Sequence, residues 1–273
     1  MKIVFWNINK NENLAVIQKL VEKTTPDLLF LAECPKDFAL KIKRKIIPEI
    51  RPPYIPPNSK PKIRGFSISS NCQTNCIEVS NNRLIFYSIR EGEMLLLLGT
   101  VHLIDKRNHN DFSQYRQACA IVSDVKKIES AWQKKTSDTI LIGDFNMNPF
   151  DPGMVVGDAF NSVCSEQIAQ KRPRKVNKEK YTYFYNPSWK IYAGVGNCVH
   201  GSYYYHSCKS GEFHWNNFDQ VLLRPSILNK YHHTFEVLHD VLGFDLRDGN
   251  KTKGNKISDH YPIMLTIEEK KHV

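Results

Sequence analysis

Apolar positions fall into short runs separated by polar turns, and the period of each run assigns its element. Residues 2–8 are nearly continuous in apolar side chains and read as a buried first strand that ends in Asn7-Ile8-Asn9. Leu14, Ile17, Leu20 and Val21 share one face at helical spacing, so residues 14–23 are expected to be helical, with Asn13 as N-cap. Thr24, Pro26 and Asp27 break that helix, and residues 28–32 form a second apolar strand with Glu33 at its end. Residues 48–61 are proline-rich without a period and read as a surface excursion. Residues 65–70, 77–79 and 83–89 read as meander strands, and residues 93–102 as a strand ending in His102. Ala118, Ile121, Val122, Val125 and Ile128 give residues 112–132 the apolar face of a long helix. A strand at 139–142 runs into Gly143-Asp144-Phe145-Asn146, and another at 217–223 carries Phe218-Asp219-Gln220. The stretch 152–188 is expected to be helical and irregular. Ser258-Asp259-His260-Tyr261-Pro262 leads into a last strand at 263–267. Helical segments alternate with strands in both halves and no repeat appears. That suits one α/β domain over residues 1–273, with two sheets packed face to face and helices outside.

Composition narrows the class. With 41% apolar and 24% charged residues the chain is neither disordered, collagenous nor coiled coil. At 273 residues it can bury a core without staples. The apolar run at 94–101 is far shorter than the roughly 20 residues of a membrane-spanning helix, and no leader precedes the first strand, so no membrane insertion is expected. The seven cysteines are irregularly spaced. Cys72 and Cys76 are close, and Cys198 and Cys208 bracket His200 and His206, but no second close pair completes a zinc pattern. The reading is free thiols in a cytoplasmic protein. Lys and Arg number 38 against 28 Asp and Glu, a net charge of +10 that favours acidic partners such as nucleic acid or phosphorylated molecules.

Candidate chemistry gathers at strand ends. Asn7, Glu33, His102, Asp144 and Asn146 each follow an apolar strand, Asp219 opens one, and Asp259 and His260 precede one. Strand ends and their loops are where a rigid scaffold brings side chains together from distant positions. Taken singly, each of these residues is ordinary turn chemistry.

The segments Trp6-Asn7-Ile8-Asn9, Ala32-Glu33, Thr100-Val101-His102-Leu103, Gly143-Asp144-Phe145-Asn146, Phe218-Asp219-Gln220-Val221-Leu222 and Ser258-Asp259-His260-Tyr261-Pro262-Ile263 occur in that order. Their order, spacing and flanks resemble the endonuclease/exonuclease/phosphatase superfamily, the fold of pancreatic deoxyribonuclease, along nearly the whole chain. The resemblance implies a four-layer α/β sandwich of two mixed sheets flanked by helices, and metal-dependent hydrolysis of phosphoesters. Glu33 would offer a carboxylate to Mg²⁺ or Mn²⁺ and Asn7 an amide oxygen, with Asp259 a second metal ligand or a partner of the attacking water. His260 would contact the scissile phosphate as donor or base, oriented by Asp219. Asp144 would orient or deprotonate the water, Asn146 would donate to a phosphoryl oxygen, and His102 would contact the phosphate or protonate the leaving oxygen. Two departures point away from the abasic-site endonuclease branch: Asn9 stands where that branch has an acid, and His102 where it has a tyrosine. Tyr183 to Trp189 with Gly201 to Tyr205 is similar to a bacterial subgroup.

For the substrate, aromatic residues of the second half, including Tyr203 and Tyr204, stand near the basic run Lys171, Arg172, Arg174, Lys175, Lys178 and Lys180. Aromatics among cations suit stacked bases and backbone phosphates, so Tyr203, Tyr204, Arg172, Arg174 and Lys175 are candidate substrate contacts and nucleic acid is the leading substrate. A small phosphorylated molecule or lipid headgroup is the alternative. A silent nucleic-acid-binding module is the third reading, and it would have no use for the set of acids and histidines.

Overall fold

Two sheets face each other across an apolar layer in the computed structural model, which describes residues 1–46, 62–80, 82–132, 138–194, 199–205, 213–241, 244–245 and 257–270. The proline-rich stretch 48–61 lies outside the described residues. In chain order the strands of the two sheets are β1 (Lys2–Asn7), β2 (Leu28–Ala32), β3 (Ile63–Ser67), β4 (Cys72–Ser80), β5 (Leu84–Glu91) and β6 (Met94–His102). They continue with β7 (Thr139–Asp144), β8 (Ser162–Val163), β9 (Phe184–Tyr185), β10 (Asp219–Leu223), β11 (Tyr231–Val237) and β12 (Ile263–Glu269). The first sheet runs β11-β12-β1-β2-β3, and the second runs β4-β5-β6-β7-β10-β9-β8. The main helices are α1 (Leu14–Thr24), α2 (Lys36–Lys45) and α3 (Asp111–Ala131).

Period-2 alternation explains the layers. Ile3 and Phe5 of β1 point into the layer between the sheets, against Tyr87, Leu98 and Ile142 of the second sheet. Val4 and Trp6 point the other way, onto Val16, Ile17 and Leu20 of α1 and Phe38 and Ile42 of α2. On the far side, Leu84, Phe86 and Leu97 pack on Ala118, Ile121, Val122 and Val125 of α3. The result is four layers, helix on sheet on sheet on helix. Strands buried on both faces lose the alternation of apolar and polar residues, which is why β1, β2 and β7 read as continuous apolar runs.

The helix α1 starts as its pattern predicts, with the Asn13 side chain accepting from the Val16 N–H at 3.2 Å. Three elements depart from the sequence reading. The helix α2 buries only Phe38 and Ile42 in a lysine-rich stretch, too thin a stripe to register as a period. The edge strand β11 turns Tyr231, His233, Phe235 and Val237 inward, but the adjacent His232 and His233 interrupt the apolar alternation at its start. Within 152–188, expected to be helical and irregular, the helices are single turns, and the basic run forms a hairpin pairing Arg174–Val176 with Glu179–Tyr181. Asn177 and Lys178 make its two-residue turn with φ of 47° and 72°, the left-handed pair that matches strand twist. Among the described residues no helix is long and apolar enough to cross a membrane. Cys34, Cys72, Cys76, Cys119 and Cys164 are free thiols. Cys198, His206 and Cys208 lie outside the described residues.

Gly143 shows how tightly the centre of the second sheet is built. Its φ is +156°, and a Cβ there would lie 2.0 Å from the Val101 carbonyl oxygen on β6. Gly143→Ala is expected to lower stability by about 2–5 kcal/mol, from overpacking plus backbone strain. Denaturant unfolding tests this, and a variant unfolding at the wild-type midpoint would refute it.

Candidate active site

Strand register assembles the site. Strands β1 and β2 are parallel with Asn7 beside Ala32, so Asn7 and Glu33 leave the same end of the first sheet. In the second sheet His102 pairs with Asp144 and Asp144 with Asp219, placing three titratable side chains in one row across β6, β7 and β10. The loop before β12 adds His260. Ser258 Oγ donates to the Asn7 carbonyl at 2.8 Å, and Trp6 Nε1 donates to the His260 carbonyl at 2.9 Å, so that loop is fastened to β1. Asn7, Glu33, His102, Asp144, Asn146 and His260 thereby line one pocket of about 490 Å³.

Asp144 is the hub. Its Oδ2 accepts from Asn7 Nδ2 at 3.0 Å, and its Oδ1 from the Asn146 backbone N–H at 2.9 Å. The same Oδ2 lies 3.7 Å from His102 Nε2 and 3.9 Å from His260 Nε2. Glu33 Oε1 faces His102 Nε2 at 3.7 Å from the other side. Behind the pocket wall, Asp219 Oδ2 holds His260 Nδ1 at 2.8 Å, and Ser202 Oγ accepts from the Asp219 N–H at 2.8 Å. Glu33 and Asn146 both sit in the left-handed region, each with φ of 52°. Such backbone is costly for a glutamate and marks a conformation the surroundings enforce.

Electrostatics separates the three central groups. Full burial raises the Asp144 carboxyl to about 7 despite the pull of His260. Burial alone would lower His260, but Asp219 and Asp144 outweigh it and raise the imidazole to about 10. His102 goes the other way, down to about 3, through burial first and then Lys62 and Arg83. The site thus holds a charged His260, a neutral His102 and a carboxylate poised near neutrality.

The donor chemistry fits a hard cation. Glu33 and Asn7 line the pocket and carry oxygen donors of the type that suits Mg²⁺, the Asn7 Oδ1 also accepting from the Asn9 N–H at 3.0 Å. Asp144, Asp219 and His260 also lie within 4.8 Å of one another, the one His, Cys, Asp and Glu group among the described residues close enough to share an ion. That group is drawn together by its own hydrogen bond, and a protonated His260 has no lone pair to give, so Glu33 and Asn7 are the better ligands. Asp259 accepts from Asn9 Nδ2 at 3.1 Å, beside the Asn7 turn, and is not part of the pocket wall.

The substrate candidates divide. Tyr203 lines the pocket, tilted against His260 at 4.7 Å between ring centroids. Tyr204, the next residue on a short strand, faces the opposite way onto Trp215 at 4.9 Å. Arg174 donates to the Val155 carbonyl and stacks over Tyr183, while Arg172 and Lys175 are exposed. None of these three lines the pocket. The cations that do are Lys106 and Arg107, in the loop after His102. Gln114 on α3, also unforeseen, donates to the Ile104 and Asn146 carbonyls at 2.9 and 2.7 Å, joining the loops after β6 and β7. Its apolar-face position at helical spacing with Ala118 and Ile121 was the available signal, since a buried glutamine needs partners.

No protein-family model matches the sequence, and no curated protein matches it either. Solved structures do match. D. rerio TDP2 complexed with a single-strand DNA product shares 14% identity over 98% of both chains, with a TM-score of 0.61. A mannosyl-6-phosphatase of Bacteroides thetaiotaomicron shares 13% identity over 98% of this chain and 99% of that one, with a TM-score of 0.60. An endonuclease/exonuclease/phosphatase family protein of the same organism shares 13% over 98% and 97%, with a TM-score of 0.58. The chain has the deoxyribonuclease-like sandwich fold of these proteins.

Proposed function

We propose that this protein is a metal-dependent phosphoesterase, and that the bond it hydrolyses is a phosphodiester of DNA or RNA. The observation that carries the reading is the convergence of Asn7, Glu33, His102, Asp144, Asn146 and His260 on one pocket, with Asp219 holding His260 from behind. A binding module has no need of a buried carboxylate hub between two histidines.

The anionic ester needs its charge neutralised and its attacking water placed. His260, charged across the neutral range, serves as a donor at Nε2 to a phosphoryl oxygen, with Asp219 keeping Nδ1 engaged. Asp144, raised by burial, is the proton acceptor for water. Asn146 is fixed by its donation from Nδ2 to the Leu103 carbonyl at 3.1 Å, which leaves its other amide hydrogen to the phosphate. The neutral His102 contacts the phosphate or the leaving oxygen. Glu33 and Asn7 would hold the cation, Mg²⁺ or Mn²⁺, with Asp259 bracing the Asn7 turn through Asn9 or adding a ligand. When bound, that ion supplies positive charge to the phosphoryl oxygens.

Lys106 and Arg107 at the pocket, the charge of +10 and the product-bound D. rerio structure support nucleic acid. The likeness to a sugar phosphatase supports the second reading, a small phosphorylated molecule. Five free thiols among the described residues support a reducing, cytoplasmic location. Single- and double-stranded DNA and RNA, incubated with Mg²⁺, Mn²⁺ or chelator, decide between the substrates. Cleavage is expected with either metal and none with chelator. Glu33→Gln is expected to raise the Mg²⁺ concentration for half-maximal rate by at least about tenfold. Cleavage that persists in chelator would remove the metal from the proposal, and cleavage of none of the four would favour the small molecule.

A further inference from the structure

The pocket has a second wall that the hydrolytic chemistry does not use. Phe150 lines it, with Tyr192 5.9 Å, Phe213 6.1 Å and Trp189 6.2 Å away between ring centroids. These rings are not core. Phe150 and Tyr192 are each 41% exposed and Phe213 is 60% exposed. A cluster of large apolar rings left in water beside a polar pocket is unfavourable unless something covers it.

The wall is built onto the catalytic turn. The buried Asn148 follows Asn146 by two residues, and its Oδ1 accepts from the Tyr192 hydroxyl at 2.8 Å and from the Asn217 N–H at 2.9 Å. Its Nδ2 donates to Asn216 Oδ1 at 2.9 Å. Asp151 accepts from the Asn148 N–H at 2.9 Å and from Lys106 Nζ at 2.8 Å. The aromatic wall is therefore held at a fixed offset from Asp144 and Asn146, with a cation at its foot.

That arrangement says what the wall takes. A sugar is recognised by outward-facing amides and carboxylates that bond its hydroxyls. Here Asn148 spends both amide atoms on Tyr192, Asn217 and Asn216, and Asp151 turns Oδ2 to the Asn148 N–H and Lys106, so the exposed area of this wall is mostly ring face. A planar base stacks on ring faces whatever its identity, and its phosphate reaches the cations. Resting on the phosphoesterase reading above, we infer that Phe150, Tyr192 and Phe213 form a base-stacking subsite that seats one nucleobase flanking the scissile phosphate of a single strand.

The test uses two unlabelled probes with the same phosphates: an eight-residue thymidine oligonucleotide and an eight-residue abasic oligomer. Each is titrated calorimetrically into the intact protein with chelator present. The wild type is expected to bind the thymidine oligomer on the order of tenfold more tightly than the abasic one. Phe150→Ala with Phe213→Ala is expected to bring that ratio close to one without weakening the abasic oligomer. Phe150→Leu keeps the apolar bulk without the ring, and should lose part of the preference at an unchanged melting temperature. A wild-type ratio near one, a ratio preserved in the double variant, or no binding of either oligomer overturns the subsite. Metal-dependent hydrolysis of bis-p-nitrophenyl phosphate by the same wild-type sample separates the two failures. Hydrolysis without base preference removes the subsite and leaves the phosphoesterase. Base preference without hydrolysis does the reverse.

Discussion

Asp144→Asn is expected to lower kcat by about a hundredfold to ten-thousandfold while the protein stays folded, the range a positioned proton acceptor contributes. The argument rests on what the substitution keeps. Asparagine has the same shape, and one oxygen can still accept from the Asn146 N–H or from Asn7 Nδ2. The other contact is the one lost, because the Asn7 amide is held in its orientation by the Asn9 N–H donating to its Oδ1 at 3.0 Å. The substitution also removes a fully buried carboxyl whose charged form is disfavoured by its surroundings, so the variant should melt at or slightly above the wild-type temperature. What is lost is the capacity proposed for it, taking a proton near neutrality. Turnover at saturating substrate and a thermal melt together make the measurement. Activity within tenfold of wild type would end the assignment of Asp144 as the base.

His260→Ala should cost as much in turnover and more in stability. It deletes the charged donor, with kcat expected to fall by at least about a hundredfold. It also leaves Asp219 and Asp144, both buried, without their shared cation. Removing one partner of a buried pair costs about 3–5 kcal/mol, so the variant should remain folded but unfold at lower denaturant. Asp219→Asn supplies the comparison. If Asp219 acts only through His260, the double variant should be no slower than His260→Ala alone, since the losses of groups acting as one device do not add. Additive losses would show that Asp219 has its own role. A His260→Ala enzyme with near wild-type turnover would exclude the histidine from the chemistry.

Legibility followed range. Where one period ran uninterrupted, the chain declared its element: residues 14–23 became α1 with the expected Asn13 cap, and 112–132 became α3. Where packing was one-sided or carried by polar residues it did not, as in α2 and β11. The motif residues were legible for a related reason. A side chain at the edge of an apolar strand has an address that spacing marks, and six residues at such addresses, Asn7, Glu33, His102, Asp144, Asn146 and His260, line one pocket. Arg172, Arg174 and Lys175 had no such address. Their charge was plain, but the hairpin that carries them does not reach the pocket wall, whereas Lys106 and Arg107 do.

By itself, the sequence determined the strand ends, the chemical types placed there and two sheets with helices outside, because these follow from local period and residue chemistry; the four-layer class was what the resemblance implied. Only the tertiary structure decided that His102, Asp144 and Asp219 share one row and that Asn7 reaches across to Asp144. It also decided that Tyr203 faces the pocket while Tyr204 turns away, and that Phe150 and Phe213 meet beside the turn that carries Asp144 and Asn146. The reason is that a strand's period says which of its faces is buried. Hydrogen-bond register between strands far apart in the chain says which residue stands next to which, and catalysis depends on the second.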